Sequence, residues 1–134
     1  MTGSSAELRT AAATLRALAT AASTATATPI ERGGKPSTRW HFAERTSSTG
    51  YLYAENPNGP GARLTHGGTG RDSHPGMRTR HGQYAAAMDP TTGLALAHAL
   101  DETADSVEQD GGIVQDSTTD ALLDVARTIN GSQP

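Results

Sequence analysis

The 134-residue chain has no cysteine. That excludes disulfides, thiolate metal sites and cysteine nucleophiles. Large apolar residues are scarce: Leu, Ile, Val and Phe together number 17, below the ~20% at which disorder competes with a packed fold. Aromatics are few as well, with one Trp, one Phe and three Tyr. An excess of one charge is also missing, since the formal net charge is only −3; the high-charge half of the disorder signature is therefore absent. No stretch approaches the ~20 apolar residues of a membrane-spanning helix. Residues 11–28 have the small side chains of a secretory leader, but Arg16 splits the apolar run, and Glu7 and Arg9 precede it. The expectation is a soluble protein of the cytoplasm.

What is present is Ala, Thr and Gly, numbering 22, 19 and 15. The length suits one domain, 1–134. Charge is unevenly placed along it. Residues 1–88 carry ten cations against five acids, and residues 89–134 carry Arg127 against nine acids. Such a chain can complement itself within one fold or between subunits, or offer a basic face to an anion.

The pattern predicts an α+β fold: an N-terminal helix, a short three-stranded antiparallel meander and two C-terminal helices. Leu8, Ala11, Ala12, Leu15, Leu18, Ala19 and Ala22 recur at helical spacing, which predicts a helix over 5–22 with Ser4 and Glu7 as a capping box. Thr38–Glu44 alternates, with Trp40 and Phe42 on one face and His41 on the other. A turn over Thr46–Gly50 leads to a second strand, Tyr51–Glu55, with Tyr51 and Tyr53 on one face and Leu52 on the other. Ala62–His66 reads as a third strand. Packing is the ordinary role of these aromatics in a domain short of Leu and Ile. Asp89-Pro90 signals a helix start, and that helix runs to about Val107 before Asp110-Gly-Gly112 breaks it. A last helix is predicted from a Ser117/Asp120 capping pair to an Asn130-Gly131 C-cap, presenting Leu122, Val125, Ala126 and Ile129. The thin core argues for a homo-oligomer.

Residues 65–83 form a stretch of nineteen without hydrophobic periodicity. Loops of that length in compact domains carry function or disorder. In the first reading it captures an anion. Gly67, Gly68 and Gly70 free backbone N–H groups, Arg71, Arg78 and Arg80 bind phosphate in forked geometry, and His74 and His81 add donors. Tyr51 or Tyr53 would then stack on a base. Neither the P-loop nor the dinucleotide-binding spacing is present. A second reading is a metal site of His66, His74 and His81 with Asp72, whose spacing matches no common zinc pattern. A third is catalysis. Asp72, Ser73 and His74 are adjacent, which is poor triad geometry, and His98 with Glu102 reads as a surface pair. The carboxylate pairs Asp101/Asp105 and Asp120/Asp124 read as solvated helix faces. No enzyme and no cofactor are expected.

At Tyr84-Ala-Ala-Ala-Met-Asp-Pro-Thr-Thr-Gly-Leu-Ala-Leu-Ala-His-Ala-Leu100 the chain resembles small actinobacterial phage and prophage proteins. These are similar to the Ead-like accessory family of tailed phages. The Leu8–Ala22 helix, Thr28-Pro29 and Trp40 match that family's N-terminal order, although Pro29 and Trp40 stand apart where the family has a Pro-Gly-Pro-Trp run. The resemblance covers both ends of the chain but not residues 65–83. It implies an accessory protein acting by stoichiometric binding, with no catalytic residues to carry over.

The expectation is a non-enzymatic protein that binds and sequesters an anionic small molecule, of the nucleotide type that signals host immunity. The alternatives are an inhibitor or adaptor acting on a host protein, through the 8–22 stripe or the acidic 101–124 face, and a metal-dependent hydrolase. Nucleic acid is not an expected partner, because no candidate recognition helix is basic.

Overall fold

The computed structural model describes residues 3–24, 37–55, 62–65, 76–112 and 116–132. The elements are α1 (Ser4–Thr24), β1 (Trp40–Glu44), β2 (Thr49–Ala54), β3 (Ala62–Arg63), β4 (Met77–Arg78), α2 (Thr79–Ala87), α3 (Pro90–Gln109) and α4 (Ser117–Gly131). The fold is α+β, with the expected helix, antiparallel meander and following helices. Its contacts fall into two compact units, residues 1–18 with 93–134, and residues 19–92.

The first unit is helical. Leu8, Ala11 and Ala12 of α1, Ala97, Leu100, Ala104 and Val107 of α3, and Leu123 and Ala126 of α4 form one buried cluster. Alanine dominates it, so close helix approach replaces large side chains. Leu8, Leu100 and Val107 are its largest fully buried groups. Leu15, Leu122, Val125 and Ile129 pack at its edge. Leu18, expected on the buried stripe, is 52% exposed.

Charge pairs frame this core. Arg9 Nη2 lies 2.6 Å from Asp105 and 2.9 Å from Glu108, and Arg16 Nη2 lies 2.7 Å from Asp101. Arg127 reaches Glu7 at 3.2 Å. The uneven charge thus complements itself inside one unit. Asp101 and Asp105 are bridged by arginines rather than merely solvated. His98 and Glu102 do form an exposed surface pair, at 3.9 Å.

Three helix ends differ from the sequence expectation. Glu7 N–H donates to Gly3 O, which puts Gly3 rather than Ser4 before the first turn. Asp116 caps α4 by accepting from Thr119 N–H at 2.7 Å, in place of Ser117. The C-cap of α4 is Ser132 in a right-handed conformation, and the Asn130 side chain instead donates to Glu7 O. The end of α3 follows the Gly-Gly signal. Gly111 and Gly112 have φ of 75° and 85°, and their N–H groups return to Glu108 O and Val107 O, a Schellman ending.

The second unit holds the sheet. β2 pairs with the whole length of β1, Phe42 opposite Leu52 and His41 opposite Tyr53. On its other side β2 meets β3 at one end, Tyr53 opposite Arg63, and β4 at the other, Thr49 opposite Arg78. β4 and the first half of α2 lie within the stretch read as loop 65–83. The physical reason it read as loop is plain. β4 has two residues, and α2 buries only Gly82, so no apolar stripe marks either. The second strand begins at Thr49, two residues before the expected start, because the turn is confined to residues 46–48.

Helix α2 lies on the Phe42 face. A Cβ on Gly82 would overlap the Phe42 ring, and one on Gly50 would meet the same ring and the Ala43 carbonyl. Both glycines are there for close approach. Within this unit buried Asp89 accepts from Thr92 N–H at 3.0 Å, as the expected cap, and from Trp40 N–H at 3.2 Å.

Candidate functional site

Side chains alternate across a strand. Trp40, Phe42 and Leu52 therefore share the face that α2 covers, and His41, Tyr51 and Tyr53 share the opposite one. The sequence predicted both sets; the register joins them. The His41 and Tyr53 rings stack, with centroids 5.3 Å apart and 16° between planes. Tyr51 stands edge-on to Tyr53 at 6.4 Å and 84°.

Arginines surround these rings. The Arg63 guanidinium lies 5.3 Å from the Tyr51 ring centre, and that of Arg45 lies 6.0 Å away, within cation–π reach. Arg45 Nη2 also donates to the Tyr53 hydroxyl at 3.0 Å, which pushes its pKa further above the ordinary arginine range. The positive charge at this place is permanent.

The turn that carries Arg45 is tied down. Arg45 N–H and Thr46 N–H both donate to Thr49 O, at 2.9 and 3.1 Å. The Thr46 and Thr49 hydroxyls are 2.7 Å apart. Thr79 N–H donates to Ser48 O, and the Thr79 hydroxyl donates to Glu44 at 2.8 Å. The Glu44 carboxylate is thereby engaged from the start of α2 rather than by the arginines around Tyr51.

At this end the surface sinks into an open cleft of about 270 Å³, lined by Arg45, Thr46, Thr49, Gly50, Tyr51, Gly76, Met77 and Arg78. It offers two guanidiniums, two threonine hydroxyls and one aromatic ring. That donor set suits an anion attached to a flat apolar group.

Of the residues singled out from sequence, Tyr51 and Arg78 line this cleft, and Tyr53 stands beside Tyr51 on the same sheet face. Arg80 and His81 stand exposed on the first turn of α2 and do not line the cleft. His66, Gly67, Gly68, Gly70, Arg71, Asp72, Ser73 and His74 lie outside the described residues. Among the described residues no group of three His, Asp or Glu side chains could hold a metal ion. Arg45, Arg63 and His41 were missed. For His41 and Arg45 the signal was the hairpin itself: once the turn is centred on 46–48, His41 must oppose Tyr53 and Arg45 must flank Tyr51; Arg63 is placed by the β2–β3 register.

No protein-family model matches the chain, and comparison with curated proteins and with solved structures gave no match. No described helix is long and apolar enough to cross a membrane. The functional reading therefore rests on the chemistry of this face.

Proposed function

We propose that the protein is a non-enzymatic binder that sequesters an anionic, base-bearing small molecule of the nucleotide type. The observation that carries this is the grouping of Tyr51 and Tyr53 with Arg45, Arg63 and Arg78 on one sheet face, with a cleft at one end. Arg45 and Arg78 hold the phosphate, the one hydroxyl proton that the Thr46–Thr49 pair does not use between its members adds a hydrogen bond, and an aromatic ring receives the base. The resemblance to phage accessory proteins adds a setting, the cytoplasm of an infected bacterium, where capture of a host immune signal is the use of such a site. A homo-oligomer fits the exposed apolar side chains Tyr84 and Met88.

Native mass spectrometry of the protein purified from a bacterial host tests this reading. The expected spectrum is an oligomer that carries a nucleotide-sized mass, lost on denaturation and absent from an Arg45→Ala/Arg78→Ala variant. A bare protein that also ignores added nucleotides would contradict it. The alternative of a host-protein inhibitor would then take its place.

A further inference from the structure

We infer that copies of this chain assemble by seating the outer face of α2 on the outer face of α4 of a second copy. The inference rests on the homo-oligomer of the reading above and not on its ligand. The two compact units carry opposite charge. Residues 1–18 and 93–134 hold nine acids against three cations, and residues 19–92 hold eight cations against five acids.

Within the helical unit every arginine is already engaged. Arg9 meets Asp105 and Glu108, Arg16 meets Asp101, and Arg127 meets Glu7. The charge left over is acidic. Asp120 and Asp124 stand exposed one turn apart on α4 and form no ion pair among the described residues. They act on Arg127 only at longer range.

The sheet unit leaves the opposite charge on α2. That helix contains no acid, and Arg80 and His81 stand exposed in its first turn. The helix dipole adds to this positive end. Arg80 forms no ion pair among the described residues. Tyr84 and Met88 follow it at four-residue steps and are 72% and 45% exposed, so a cation and two large apolar groups form one line along the helix.

Asp120, Asp124 and Thr128 form a line of the same pitch on α4, and lines of this kind pack as ridges into grooves. Ala121, exposed beside them, leaves room for the Tyr84 ring, whose hydroxyl can donate to a carboxylate. Both surfaces belong to one chain, so a second copy supplies the complement of each. Pairing α2 with α2 would leave Arg80 without an acid. The contact joins unlike surfaces, so every copy offers one of each.

Sedimentation velocity of the full chain and of two variants tests the inference. The wild type should associate with rising concentration, and less so in high salt. Tyr84→Ser/Met88→Ser and Asp120→Asn/Asp124→Lys should each be monomeric alone, with helix content unchanged by circular dichroism. Mixed in equal amounts they should form a one-to-one pair, because each keeps the surface the other has lost. A wild type that stays monomeric would overturn the inference, and if it still binds nucleotide the ligand reading stands. An Asp120→Asn/Asp124→Lys variant that still associates alone would overturn it in favour of α2 pairing with itself. Association of the predicted kind without nucleotide binding would support the inference and overturn the nucleotide reading instead.

Discussion

Arg45 Nη2 donates a 3.0 Å hydrogen bond to the hydroxyl of Tyr53, eight residues further along the chain. That bond spans the β1–β2 hairpin and fixes a guanidinium at the mouth of the cleft. Arg45 is thus held in place before any ligand arrives, which reduces the ordering cost of binding. Arg45→Ala is expected to weaken nucleotide binding roughly 10-fold or more, the range for a lost hydrogen bond to a charged group. Arg80→Ala, at a position off the cleft, should change affinity little. Titration of both variants with one nucleotide makes the comparison.

The sheet depends on Gly82. Replacing glycine by alanine in a helix normally stabilises by about 1 kcal/mol. Here the added Cβ would overlap the Phe42 ring, and overpacking costs about 1–3 kcal/mol. The steric term wins, so Gly82→Ala should destabilise the sheet unit. Denaturant unfolding followed by near-ultraviolet circular dichroism measures it. A more stable variant would show that Phe42 can move aside.

The helices were legible in the sequence because their buried faces repeat at helical spacing. Leu8, Ala11, Ala12 and Ala126 were all marked by that repeat. Leu18 was misplaced because a stripe this thin tolerates either neighbour at its edge. The meander was legible from alternation, and with it the separate faces of Phe42 and Tyr51. Part of the site was not. β4 and α2 bury almost nothing apolar, so composition alone made them loop. Arg45, Arg63 and His41 carry no motif, and only pairing register brings them to the tyrosines. Tyr51, Tyr53 and Arg78 were named for their chemistry, and the sheet brings those three together. The glycine cluster at 67–70 lies outside the described residues.

The helical core has few large side chains, so each one counts. Leu100 is fully buried, and Leu→Ala in such a position costs about 2–5 kcal/mol. Leu100→Ala should shift the urea midpoint of the helical unit markedly. Leu18→Ala, at an exposed position, should leave it nearly unchanged.

Acid should weaken the helical unit. Arg9 lowers the pKa of Glu108 from its ordinary 4.5, chiefly by hydrogen bonding. The backbone N–H of Thr119 lowers that of Asp116 from 3.8. A carboxylate whose folded pKa is depressed contributes stability above its unfolded pKa and loses it as pH falls through the folded value. The melting temperature should therefore hold from neutral pH down to about 5 and fall below it. Glu108→Gln should flatten part of that fall, with added salt acting in the same direction. An unchanged acid limb in Glu108→Gln would remove Glu108 from the account.

The most direct test of the central claim is a nuclear magnetic resonance titration read at the aromatic rings. The chain holds one Trp, one Phe, three Tyr and five His, so assignment is tractable. On addition of a nucleotide, the ring signals of His41, Tyr51 and Tyr53 should shift while those of Trp40, Phe42 and His81 stay in place. Shifts confined to His81 and Tyr84, or no shift at any ring, would contradict the claim that this face of the sheet is the binding site.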